Sequence, residues 1–338
     1  MIESSKKDTS SRVVTPVEKP IDRGNFGNLL RPLKLEDYVG QETIKKHLSV
    51  SIASSKIRKE ALDHILFYGP PGLGKTTLSQ IIATEMEANL KSTSGPAIEK
   101  QSDLVSILSN LEDGDVLFID EIHRLRPQVE EILYTAMEDF VIDIMVGSGT
   151  GAQSVKLPLK EFTLIGATTR LSALSSPLRD RFGNVLKLDF YDESDLSLII
   201  HNNSKKLDLH LPEEVLETIA KKSRGTPRIS NRLLKIVRDY NTIGKDVRKT
   251  GILEEIFKDI GIDEKGLDYL DRKYLETLYY KFNSGPVGLN TLSSAIGEEE
   301  ATLEDVVEPY LLQIGFIERT PRGRKISNAG IGHIGGII

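Results

Sequence analysis

The chain has 338 residues, 44 Lys and Arg against 50 Asp and Glu, and a formal net charge of −6, which at roughly 100 to 200 residues per domain leaves room for two or three domains. A hydrophobic content of 39%, a charged content of 28% and scattered glycine and proline exclude collagenous, low-complexity and wholly disordered classes. The absence of cysteine removes disulfide frameworks, thiolate zinc sites and cysteine nucleophiles, and no stretch resembles a secretory core or the roughly 18 apolar residues of a membrane helix. The expectation is a cytoplasmic globular protein with no membrane role.

Residues 1–24 are polar, rich in Ser, Thr and Lys and without apolar periodicity, so they read as a disordered tail. Residues 25–191 alternate helical patterns with the short apolar runs HILFYG, VLFIDE, FTLIGATT and VLKLDF. Such runs, without polar alternation and followed by glycine or polar residues, predict an α/β domain: parallel strands buried between helices, with functional loops at their carboxyl ends.

The first run leads into GPPGLGKT at residues 69–76, which fits GxxxxGK[ST] between a strand and a helix. Backbone N–H groups of Gly72 and its neighbours can close on phosphates at a helix N-terminus. Lys75 can reach the β/γ oxygens, and the Thr76 hydroxyl can ligate Mg²⁺. A chance match in a chain of this length is on the order of one per cent, so the sequence predicts ATP binding. Forty-five residues past Lys75, the second run ends in Asp120 and Glu121. Beside a P-loop these fit a metal-holding carboxylate and a water-orienting one, and the chain is expected to hydrolyse ATP. His123 follows, but an isolated histidine is more often a packing or solvated residue, and it receives no catalytic role.

Residues 140–157 carry two β-prone runs around Gly147, Gly149 and Gly151, which predict an inserted hairpin. Its Ile142, Ile144 and Val146 either pack on their own domain or meet a partner. After the third run, Thr168 and Thr169 offer a hydroxyl to sense a γ-phosphate, or simply end the strand in a turn. The segment SPLRDRFG places Arg179 and Arg181 where a guanidinium could stabilise transition-state charge.

Residues 192–262 lose the strand signals and read as a small helical lid domain, with Arg228 opening the helix after Pro227. Residues 263–338 read as three helices and a hairpin, the order of a winged helix-turn-helix. The hairpin, residues 316–326, holds Arg319, Arg322, Arg324 and Lys325 against Glu318, a net +3 suited to DNA phosphates. The acidic total does not oppose this, because charges beyond about 10 Å are screened. The final NAGIGHIGGII reads as a loose tail.

The set GPPGLGKT, DE, GATT, LRDRFG and GTPR resembles the AAA+ ATPases. Together with RPLKLEDYVGQ, LYTAMEDF, the hairpin, GTPRISNRLL and IGFIERTPRGR, it resembles the RuvB family over residues 29–326. That resemblance implies an AAA+ P-loop domain, helical lid and winged-helix head in a homohexameric ring that drives branch migration of Holliday junctions with ATP and Mg²⁺. It implies Thr169 as first sensor with Thr168 as fallback, Arg181 as a finger on a neighbour's ATP, and Arg228 as second sensor. It further places Leu30, Arg31, Tyr191, Gly72, Lys75, Thr76 and Thr77 around the nucleotide, and Glu138, Asp139 and Phe140 near it. Arg319 and Arg324 match DNA-contacting positions, whereas Glu300 stands where relatives often carry a basic residue. RuvA is implied as the hairpin's partner, and RuvC resolvase as a further one. Two rivals are an AAA+ initiator that uses ATP as a switch and a clamp-loader subunit. A superfamily-2 helicase fails because no second RecA-like domain is present.

Overall fold

The computed structural model describes residues 12–19, 22, 24–146 and 153–335. They form two compact units, one spanning Arg31–Asp189 and the other built from the described residues up to Leu30 together with Phe190 onward.

The first unit holds an all-parallel sheet of β1 (Ile65–Tyr68), β2 (Leu90–Ser94), β3 (Val116–Asp120), β6 (Thr163–Thr168) and β7 (Asn184–Lys187), in the order β2-β3-β6-β1-β7. β1, β3 and β6 are buried almost end to end, as their unbroken apolar runs require. Helix Pro127–Glu138 buries Val129, Leu133, Ala136 and Met137 in a core that also takes in Leu117, Ile119 and Leu164. Two strands depart from the sequence expectation. β2, the polar LKSTS, lies at one edge and has no apolar run to announce it. β7 closes the other edge with alternating burial rather than both faces covered.

β4 (Val141–Val146) and β5 (Gln153–Pro158) form the expected antiparallel hairpin. Gly147, Gly149 and Gly151, and the side chains of Ile144 and Val146, lie outside the described residues. Ile142 is 1% exposed within the unit's own core, so the domain-packing alternative holds for that residue, while Val155 on β5 is exposed.

In the second unit the lid comprises helices Glu193–Lys206, Glu213–Lys222, Pro227–Thr242 and Thr250–Asp259, the last not read from the sequence. The head follows as Tyr269–Glu276 extended by π-helical Thr277–Lys281, then Leu289–Ile296, then 300–313, and then the hairpin of β8 (Ile317–Thr320) and β9 (Gly323–Ile326). Tyr274, Leu278, Leu292, Leu303 and Leu311 form its core. The glycine-rich C-terminus read as a loose tail is helical over Asn328–Gly335, with Ile334 buried.

The N-terminal stretch also corrects the sequence reading. Residues 12–19 and 22, assigned to a disordered tail, are packed, with Val14 and Thr15 buried. Arg232 on the lid donates to the carbonyls of Val13, Thr15 and Val17 and pairs with Asp22. Arg12 pairs with Asp268 at 2.5 Å and with Asp271 at 3.2 Å at the start of the head, and Asp271 also pairs with Arg224 of the lid. Burial alone would raise the Asp268 carboxyl, but the Arg12 and Arg224 guanidinia outweigh it and hold Asp268 below the usual carboxylate range. Composition hid this strap because its stabilisation comes from backbone carbonyls and two charged residues, not from an apolar pattern.

Candidate functional site

The central strands β3, β6 and β1 are neighbours, so their carboxyl ends bring three loops side by side. From β1 comes the P-loop. Gly69 and Gly74 have φ of 138° and 107°, and a Cβ added at either would lie 2.4 Å from the Leu188 carbonyl or the Tyr38 hydroxyl. Only glycine fits those positions. The Tyr38 hydroxyl donates to the Leu73 carbonyl at 3.2 Å, which braces the loop from outside the motif. Helix Lys75–Glu85 begins without a side-chain cap, leaving its first-turn N–H groups to the loop and to an anionic ligand. Lys75 is 8% exposed and donates to the Gly69 and Pro70 carbonyls at 2.7 and 2.8 Å. Arg31 reaches the same helix, donating to Gln80 at 3.3 Å.

From β3 come the carboxylates. Asp120 ends the strand, and its Oδ1 accepts the Glu121 N–H at 2.9 Å. Glu121 holds a left-handed φ of 51°, a conformation that costs a non-glycine residue about 1 kcal/mol or more and turns the chain sharply after the strand. From β6 come the threonines. Thr168 is 0% exposed, and its hydroxyl meets His123 Nδ1 at 2.9 Å and accepts the Arg170 N–H at 3.0 Å. Those contacts commit Thr168 to the turn, whereas Thr169 is half-buried. His123, set aside in the sequence, links the two loops: its Nε2 lies 3.8 Å from the Glu121 carboxylate while its Nδ1 engages Thr168. Its place in the DEIH string was the one available signal.

Arg181 is held by its own unit. Its Nε donates to the Tyr134 carbonyl at 3.1 Å, one Nη donates to Pro177 at 2.8 Å, the other pairs with Glu138 at 3.0 Å, and the guanidinium lies over the Tyr134 ring. Two residues linked to the nucleotide by family resemblance are thus brought together, with Asp139 exposed beside them. Phe140 instead packs edge-on against Phe162, with ring centroids 5.8 Å apart, and serves the core.

The remaining candidates belong to the second unit. Leu30 is buried and its carbonyl accepts from Lys206. Tyr191 is buried and its N–H donates to the Gly225 carbonyl. Arg228 donates to the Pro16 carbonyl at 2.7 Å and lies 3.7 Å from Asp22. In the head, Arg319 and Arg324 are not free basic side chains as the tract suggested, since both pair with Glu308. Arg322 and Lys325 are exposed, and Glu300 accepts from Asn290 at 2.8 Å. No helix among the described residues is long and apolar enough to cross a membrane.

Three family profiles match in succession: the Holliday junction DNA helicase RuvB P-loop domain at residues 30–188, the RuvB AAA lid domain at 191–261 and the RuvB C-terminal winged helix domain at 264–335. The chain is 51% identical over 335 residues to the Holliday junction branch migration complex subunit RuvB of Dehalococcoides mccartyi strain CBDB1, covering 99% of this chain and 94% of that one. Among solved structures, RuvB of Thermotoga maritima, a Holliday junction branch migration motor, aligns with a TM-score of 0.83 at 48% identity, covering 91% of this chain and 98% of that one. A lysine-to-arginine mutant of the same protein aligns at 0.84 and 49%, covering 90% and 98%. With the glycine-forced phosphate loop, the paired carboxylates and these matches along nearly its whole length, the chain belongs to the RuvB family.

Proposed function

We propose that this chain is the ATP-hydrolysing motor subunit of Holliday junction branch migration, with an ATPase core over residues 25–191, a lid over 192–262 and a DNA-binding head over 263–338. The observation that carries the reading is the placing of Lys75, the Asp120–Glu121 pair and Thr169 at or just beyond the carboxyl ends of three adjacent parallel strands, in a chain matched by RuvB profiles in all three parts.

Lys75 neutralises the β/γ oxygens of ATP, and the N–H groups from Gly72 to Thr77 hold the phosphates. The Thr76 hydroxyl and Asp120 carboxylate are hard oxygen donors of the kind Mg²⁺ takes, so they would hold the ion, which when bound supplies charge neutralisation at the phosphates. Glu121 orients the attacking water, His123 keeps that carboxylate in register with the Thr168 turn, and Thr169 meets the γ-phosphate. Arg181 acts on the nucleotide of a neighbouring protomer in a hexameric ring. The nucleotide roles of Leu30, Arg31, Glu138, Asp139, Tyr191 and Arg228 rest on the family resemblance. So do a cytoplasmic location, RuvA docking at the β4–β5 hairpin, where Val155 is an exposed apolar side chain, and a contact with RuvC.

The test is migration of a synthetic four-way junction into duplex products with ATP and Mg²⁺, with and without RuvA. Products that require ATP and an intact Glu121 are expected. Junction binding with no ATP-dependent product under either condition would reject the motor and leave a nucleotide-switched DNA binder.

A further inference from the structure

Beneath the wing lies a fully buried carboxylate. Glu308 opens helix Glu308–Gln313 directly after the π-helical segment Leu303–Val307. Its Oε1 accepts from the Tyr274 hydroxyl at 2.9 Å and from Arg324 Nε at 2.9 Å. Its Oε2 accepts from Arg319 Nε at 2.8 Å and lies 2.6 Å from Arg319 Nη2. Glu304, one turn earlier, stands 3.8 and 3.6 Å from the same two guanidinia. Burial, and then the adjacent Glu308 carboxylate, push the Tyr274 phenol above its ordinary value, so it stays a donor.

Arg319 and Arg324 face each other directly across the β8–β9 ladder, where two like charges repel. Glu308 resolves that conflict by holding both. Each arginine spends Nε and Nη2 on the acids and keeps Nη1 outside these pairs, with side chains 44% and 17% exposed. Because two acids offset two guanidinia, net charge is a weak source of phosphate attraction here. What remains is direction: N–H groups fixed before the ligand arrives.

We propose that Glu308 is a positioning residue for DNA, one that orients Arg319 and Arg324 to meet backbone phosphates of a duplex. The proposal rests on the reading of those two arginines as DNA contacts. It opposes the simple electrostatic expectation in sign. Were Glu308 only a neutralising charge, Glu308→Gln would leave the wing more positive, tighten DNA binding and steepen its salt dependence. As a positioning residue, its loss releases both guanidinia and weakens binding despite the added positive charge.

The experiment measures duplex DNA binding by fluorescence anisotropy across a salt series, using the full chain. Glu308→Gln should raise Kd about tenfold and flatten the log–log salt slope by about 1, with ATPase activity in the absence of DNA unchanged. Glu304→Gln relieves charge without opening the clamp and should tighten binding. Parental or tighter binding by Glu308→Gln, while the Arg319→Ala/Arg324→Ala double variant binds weakly, overturns the positioning role and leaves the arginines as contacts. Parental binding by the double variant overturns the underlying reading instead. Should Glu308→Gln lose its cooperative melt, Tyr274→Phe removes one bond of the clamp and keeps the charge. It should weaken binding about threefold, and parental affinity there overturns the proposal.

Discussion

At the scale of single residues, the P-loop and the acidic pair separate binding from chemistry. Lys75→Ala removes the charge proposed to neutralise the β/γ oxygens, so ATP affinity and turnover should fall together in equilibrium nucleotide-binding and phosphate-release assays. Glu121→Gln keeps the shape and should retain ATP while turnover drops by about 10² or more. Unchanged hydrolysis would remove Glu121 from the reaction. These residues were legible because each sits in a short motif at the end of an apolar strand. The engagement of the Thr168 hydroxyl by His123 and Arg170 was not, since only packing reveals it. The pairing of Arg319 and Arg324 was equally hidden. Glu308 is 16 residues from Arg324 and reads as one more helix-surface acid until the wing folds over it.

At the scale of elements, unbroken apolar runs revealed β1, β3 and β6, and helix-hairpin order revealed the winged head. Edge position concealed β2, because a strand with one neighbour needs little apolar character. The N-terminal strap was concealed for a different reason: it is held by Arg12, Arg232 and main-chain carbonyls, for which no periodicity exists. Arg12→Ala leaves Asp268 and Asp271 buried, with Arg224 still paired to Asp271 and the Asp268 carboxylate stripped of its Arg12 partner. Removing one member of a buried charge cluster costs about 3–5 kcal/mol. Denaturant unfolding should show a loss of that size, and a change below about 1 kcal/mol would mean that the strap is a surface attachment.

At the scale of the whole molecule, the role proposed for Arg181 depends on assembly. Arg181→Ala should bind ATP with the parental affinity but hydrolyse it about 10³ to 10⁵ more slowly if it is a finger. Mixed with Lys75→Ala protein, it should recover activity above either variant alone, because some protomers with an intact P-loop then neighbour an intact Arg181. Activity equal to the sum of the separate variants, in rings shown by mass to be mixed, would place Arg181 in cis.

The Arg12–Asp268–Asp271–Arg224 cluster also bears on how the second unit comes apart. Arg224 belongs to the lid, Asp271 to the head and Arg12 to the strap, and the Arg224 and Asp271 side chains are almost wholly inaccessible to water. Opening either partner alone would strand a bare charge in a low-dielectric interior, so the cluster penalises every partly open state. Lid and head should therefore exchange their slowest amide hydrogens with one shared opening free energy, seen alike in Glu213–Lys222 and Tyr269–Glu276. Arg12→Ala should split that shared value into two, turning one cooperative foldon into a pair.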